Sequence, residues 1–225
     1  MRELLPISLL GGLLGLDVVC FPQMMFSRPL VAATVAGAFV GDATTGVLVG
    51  AILELIALAT LPFGASRYPE WGSSAVVAGA LAAALQTDRA GAITLGVLGG
   101  LATAWISGWT LVKLRQLNAW LARRKRPALD AGARGTVVGL QLAGLTADLV
   151  RAALLTAVCY GLLFPVANAA VGVWSFDEST SRAVVVAIAS AVAASAAWTI
   201  FHTARHARWY FAGGLAIGLL ILFAR

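Results

Sequence analysis

The sequence predicts an all-α, polytopic transmembrane protein with broken or re-entrant helices, and three observations carry that prediction. First, apolar residues make up 60% of the 225-residue chain and charged residues only 12%, roughly half the ~25% charged fraction of an average soluble domain. A water-soluble globule of this size needs more polar surface than that, which excludes a soluble enzyme or soluble binding module. Second, the apolar residues fall in tracts with the length of membrane spans, about 17 to 25 residues for a core of roughly 30 Å. Third, one tract has the wrong length for an ordinary span and carries helix-breaking residues in its middle.

Residues 4–21 fit one span. No small-x-small cleavage site closes them and further spans follow, so they read as a transmembrane helix rather than a signal peptide. Cys20 ends a Leu-Asp-Val-Val-Cys string, but Val19 is too bulky for the residue expected before a lipidated cysteine. Residues 30–61 form the unusual tract. At 1.5 Å per residue its 32 residues would reach about 48 Å, too long for one comfortable span and short for two. Its interior reads Gly41-Asp42-Ala43-Thr44-Thr45-Gly46: Gly41 can end one helix, and Asp42 or Thr44 can cap the next. The tract is therefore expected to be a broken or re-entrant pair. Such backbone is tolerated at membrane depth where it is buried or lines a wet cavity, and there it tends to form substrate sites.

A polar stretch at 63–74 follows, then a short apolar run at 75–85, read as a half-helix or an incomplete span. Residues 90–112 form a full span with Trp105 and Trp109 near its end, where indoles favour the interface. Beyond a hydrophilic segment lie residues 136–164, long enough to tilt or break, then a full span at 183–202 and a short one at 209–223. The expected organisation is an N-terminal membrane half (1–112), a basic cytoplasmic loop (113–135) and a C-terminal membrane half (136–225).

The formal net charge of +6 has a single location. Lys113, Arg115, Arg123, Arg124, Lys125, Arg126 and Arg134 lie together with Asp130 as the only acid, and this segment holds the whole excess. By the positive-inside rule it is expected on the cytoplasmic side. The segment has little aromatic interleaving and lies between spans, which argues against nucleic-acid binding.

Four acids sit inside apolar tracts: Asp17, Asp42, Glu54 and Asp148. An ionisable group at that depth costs at least a few kcal/mol, so each is a functional candidate by default. Asp148 has Arg151 one helical turn on and reads as a structural ion pair. Asp42 either caps a helix or belongs to a site, and Asp17 is either interfacial or functional. Glu54 has no local partner and is centred in residues 47–61, which makes it the leading candidate. Gln23, Arg67, Tyr68, Glu70 and Trp71 supply the planar hydrogen-bonding groups and aromatic faces that bind vicinal hydroxyls of a sugar. The same composition also suits a headgroup-level loop with aromatic anchors. His202 and His206 have the i, i+4 spacing of metal ligands but no third ligand, and read as a solvated basic helix end. No cofactor or metal site is expected. The chain has neither a phosphate-binding loop nor a nucleophile elbow, so it does not energise transport with ATP by itself.

Residues 14–72 resemble the N-terminal signature of the IIC membrane subunit of the mannose/fructose/sorbose family of bacterial sugar phosphotransferase systems. The shared elements are Ser27-Arg28-Pro29-Leu30, Gly41-Asp42 with Gly46, Leu53-Glu54-Leu55, and Gly64-Ala65 with Pro69-Glu70; Asp148 with Arg151 matches more loosely. The basic run Arg123, Arg124, Lys125 and Arg126 departs from the family pattern. The resemblance implies a sugar-translocating, non-catalytic subunit in the bacterial inner membrane that pairs with a IID membrane subunit. Phosphoryl groups would come from histidines on cytoplasmic IIA and IIB proteins. It also implies re-entrant hairpins around the sugar, with Glu54, Asp42, Gln23, Arg67 and Glu70 as substrate-binding candidates. Two other readings of the same residues are a non-transporting membrane scaffold or sensor and an autonomous secondary carrier.

Overall fold

The computed structural model describes residues 3–18, 20–58, 60, 67–85, 89–171, 173 and 177–223. The motif residues Gly64 and Ala65, and with them most of the polar stretch after residue 60, lie outside the described residues. Among the described residues all regular structure is helical: α1 (Leu4–Asp17), α2 (Pro29–Val40), α3 (Ala43–Ala57), α4 (Trp71–Ala84), α5 (Arg89–Arg124), α6 (Arg126–Asp130), α7 (Arg134–Val171), α8 (Glu178–Phe201) and α9 (Ala207–Phe223). Three described helices are long and apolar enough to cross a membrane, in α5, α7 and α8, and shorter apolar helices fill the spaces among them. The chain is a multi-pass membrane protein with broken helices.

The long tract folds into an antiparallel hairpin. Pro29 at the first turn of α2 suits a position whose N–H has no helical partner. Gly41 ends α2 in the left-handed region (φ 107°), where a side chain would be strained. Asp42 then starts α3 by accepting the Thr45 amide at 3.0 Å and the Thr45 hydroxyl at 2.5 Å. The two helices run at near-backbone contact: a Cβ on Gly46 would lie 2.5 Å from the Ala33 carbonyl, and one on Gly50 2.8 Å from that of Pro29. With 12 and 15 residues, the arms are about 18 and 23 Å long, shorter than the bilayer core.

Helix α4 is the centre of the bundle. Every residue of its first twelve positions, Trp71 to Ala82, is buried, the pattern of a helix enclosed on all sides. It packs on α1, α2, α3, α5 and α7. It begins four residues earlier than the apolar run suggests, because Glu70 caps it and its polar first turn is internally bonded: the Ser73 amide donates to Glu70 at 3.0 Å and the Ser74 hydroxyl to the Trp71 carbonyl at 3.1 Å. Helix α1 lies antiparallel along α7, with Gly11, Gly12 and Gly15 against Thr156, Ala153 and Ala152.

The basic segment is mostly helical. Lys113 to Arg124 continue α5 without interruption, and α6 and the start of α7 form a turn back. At 36 residues α5 is about 54 Å long, so its basic end projects well past a ~30 Å hydrocarbon layer. Asp177 caps α8; the Ser179 hydroxyl (2.5 Å) and the Thr180 amide (3.2 Å) hold its carboxyl below the usual range. Helix α9 meets α8 through Phe211, edge-on to Trp198 with centroids 5.2 Å apart.

Candidate functional site

The mouth of the α2–α3 hairpin is built around one ion pair. Arg28, in extended conformation just before α2, bonds through Nη2 to Glu54 Oε1 on the facing arm. The other carboxylate oxygen, Glu54 Oε2, accepts the Leu30 amide at 3.2 Å. Glu54 therefore places negative charge at the N-terminus of α2, where the unsatisfied amides favour it. Glu54 has no partner nearby in sequence; its partner is 26 positions away and reaches it because the hairpin closes.

Asp17 organises the segment leading into that mouth. Its carboxylate is 2% exposed and accepts the amides of Met24 and Ser27, each at 2.8 Å. The chain between is held in costly backbone, with Gln23 (φ 59°) and Met25 (φ 64°) in the left-handed region. Asp17 is buried within the protein, and it pins a loop that presents Gln23 and Arg28.

These elements enclose a cavity of about 470 Å³ whose polar lining comes from Asp17, Gln23, Ser27, Arg28, Thr60 and Tyr68, with Trp71 as its aromatic wall. Thr60 accepts the Trp71 indole N–H at 3.0 Å, fixing the ring plane. The arrangement suits a small, neutral, hydroxyl-rich ligand: a planar cation and amide for paired hydrogen bonds, and an indole face for ring C–H groups. A larger groove of about 720 Å³ between α8 and α9 is walled almost wholly by carbon, from Ala194, Phe201 and Phe211 to Leu215. Its lining offers no converging polar groups that would orient a substrate.

The sequence candidates are distributed unevenly about the cavity. Gln23 lines it, and Glu54 stands behind Arg28. Asp42 caps α3 at the opposite end, twelve residues or about 18 Å from Glu54. Arg67 lies outside the lining, its guanidinium 5.8 Å from the Trp105 ring centroid. Glu70 is fully buried beneath the cavity, where it caps α4 and accepts the hydroxyls of Ser73 and, at 2.5 Å, Ser107. Arg28 and Thr60 are missed from sequence. Arg28 stands in the quoted Ser-Arg-Pro-Leu motif, with no role assigned to it there.

A polar chain continues from Glu70. Ser107 accepts from Arg151 Nη1 at 3.1 Å, Arg151 Nε donates to Asp148 Oδ1 at 2.9 Å, and the Cys20 thiol donates to Asp148 Oδ2 at 2.9 Å. The expected Asp148–Arg151 pair is present, 1% and 11% exposed, and it ties α7 to α5. Among the described residues no group of His, Cys, Asp and Glu is arranged to hold a metal ion.

Comparison with known proteins agrees with this architecture. The chain is 33% identical over 79 residues to the sorbose-specific EIIC component of Klebsiella pneumoniae, covering 35% of this chain and 29% of that protein. It is 36% identical over 55 residues to the mannose-specific EIIC component of Escherichia coli strain K12, covering 24% and 21%. These alignments thus span under a third of the curated relatives' lengths. Over the whole fold, a solved structure described as "Structure of membrane protein" superposes with a TM-score of 0.71 at 18% identity, covering 98% of this chain and 85% of that one. A second, "CryoEM Structure of Mannose Transporter ManYZ and Microcin E492 (MceA) complex", gives 0.61 at 18% identity, covering 97% and 85%. The family profile described as "PTS system sorbose-specific iic component" matches residues 2–171. That range takes in the hairpin, the cavity and the polar chain through the end of α7, and the chain belongs to this IIC family.

Proposed function

We propose that the chain is the sugar-translocating IIC subunit of a phosphoenolpyruvate-dependent sugar phosphotransferase system. It binds a hexose-type sugar and passes it to the cytoplasmic IIB subunit for phosphorylation. The observation that carries the reading is the hairpin mouth: a guanidinium held by Glu54, an amide and an oriented indole converge on one cavity at the open end of short, re-entrant helices. In this proposal Gln23, Arg28, Thr60 and Trp71 face the sugar, and Glu54 positions Arg28. Asp42 and Glu70 serve the site indirectly, by fixing the two helices that frame it. The chain acts as a transport subunit, with the phosphoryl-carrying histidines on the IIA and IIB partners. A IID membrane subunit completes the complex, and the two-component transporter named for the second solved structure supports that partnership. The projecting basic end of α5 lies on the cytoplasmic side, where IIA and IIB approach.

The test is phosphoenolpyruvate-dependent uptake in vesicles that hold this chain with its cognate IID, IIA and IIB proteins. Arg28→Gln and Glu54→Gln should each lower sugar uptake at least about tenfold, since each leaves the other group unpaired in a half-buried site. Wild-type uptake by Glu54→Gln would remove the ion pair from the site. Uptake by this chain alone, without phosphorylating partners, would instead indicate an autonomous carrier.

A further inference from the structure

A second cavity, of about 440 Å³, adjoins the first on the side of the basic helical end. Its polar lining is Cys20, Arg115, Asn118, Gln141 and Asp148, contributed by α5, α7 and the segment after α1. The partition between the two spaces is a small side-chain cluster. Tyr68 lines the first cavity and packs on Leu111 and Leu114, which line the second, with Val18 and Ala147 closing the cluster. Arg115, from the second cavity, bonds the Tyr68 hydroxyl and lies over its ring at 4.9 Å from the centroid. Asp148 is already neutralised by Arg151, so the second space offers carbonyl, amide and guanidinium hydrogen-bonding groups with no unbalanced anion. At this size it falls within the range of small-molecule sites, about 300 to 1,000 Å³.

We propose that this second cavity is a separate subsite for a neutral, hydroxyl-rich ligand, held by the side-chain amides of Asn118 and Gln141 and reached from the first cavity past the Tyr68–Arg115 pair. The inference rests on the sugar-transport reading, and places a stop between the hairpin mouth and the basic side of the protein. Two amides on facing helices give paired donors and acceptors to vicinal hydroxyls, which a hydrocarbon tail could not use. The Tyr68–Arg115 pair is the part that must move, because it links the lining of one cavity to that of the other.

Cys20 is an exposed thiol within the second cavity, and Cys159 is buried elsewhere, so Cys20 serves as the reporter in a Cys159→Ala background. The experiment measures the rate of Cys20 alkylation by N-ethylmaleimide on the purified full chain in nanodiscs, with mannose, sorbose or fructose as the probe. A saturable slowing of at least about fivefold by one of them is expected. Asn118→Leu with Gln141→Leu should abolish that protection, and Gly144→Leu, whose side chain would grow into the same space against the Asn118 amide, 3.5 Å from a Cβ at that position, should abolish it too. Protection that survives the amide variants puts the sugar outside the second cavity and overturns the proposal. So does protection by mannose 6-phosphate in place of mannose. If the complete system takes up sugar and no sugar slows alkylation, the subsite fails while the transport reading stands. If neither uptake nor protection is found, both fall.

Discussion

The buried guanidinium of Arg151 shows how single residues are used in this protein. It pairs with Asp148 and reaches Ser107 and Thr110, each at 3.1 Å, so one side chain, 11% exposed, joins α7 to α5. Replacing it by leucine leaves the Asp148 carboxylate buried without its cation, a loss of about 3 to 5 kcal/mol by analogy with broken buried pairs. Arg151→Leu should therefore lower the thermal unfolding midpoint of the purified protein sharply, and adding Asp148→Asn should recover part of it. Equal midpoints for the single and double variants would show that the two residues are not coupled. The Asp148–Arg151 pair is legible in sequence because its partners are three residues apart. Arg28–Glu54 is not legible in that way, since its partners are 26 apart and come together only across a hairpin. Glu70 is a different case: its type suits sugar binding, and in the fold it is a fully buried carboxylate bonded to serine hydroxyls and to a helix start.

At the scale of elements, the hairpin and its glycines set the site's position. The Gly41-Asp42 break can be read directly, because a residue with free φ followed by a side-chain cap is a local code that needs no tertiary contact. Whether the two helices continue in one direction or fold back cannot be read locally. What decides it is the close approach of Gly46 and Gly50 to the backbone of α2. Gly46→Ala would place a methyl group 2.5 Å from the Ala33 carbonyl, a contact that only backbone movement can relieve. It should destabilise by about 1 to 3 kcal/mol. Gly139→Ala on α7 meets nothing within 4 Å and should stabilise its helix by about 0.5 to 1 kcal/mol. Thermal unfolding of the two variants side by side checks the contrast, and similar midpoints would show that the hairpin tolerates a wider spacing. The start of α4 was misplaced for a related reason. Its first turn is polar in composition; the Glu70 cap and the neighbouring α5 supply the partners that let Ser73 be buried, and the Trp71 carbonyl of the same turn supplies that of Ser74.

At the scale of the whole molecule, charge and length together orient the chain. The helices α5 and α7 exceed the thickness of a bilayer, and the surplus length of α5 carries basic residues, so the excess of positive charge stands at one end of the bundle. With both native cysteines replaced by serine, Lys125→Cys should react with a membrane-impermeant maleimide in inside-out vesicles and be protected in right-side-out ones. The reverse pattern would invert the orientation proposed here. The residues alone determined that this is a membrane protein, where its helices begin to within about five residues, which tract breaks, and which end is basic. Each of these depends on the free energy of transferring side chains into hydrocarbon or on the capping of a single turn, both of which act within one stretch of chain. The tertiary structure decided the rest: that α4 is central, that Arg28 is the partner of Glu54, and that Asp42 and Glu54 lie at opposite ends of one helix. It also decided that two cavities meet at Tyr68. These features depend on which residues become neighbours after the hairpin closes and the helices pack, and pairings of that kind are fixed by backbone distances that no local pattern of residues encodes.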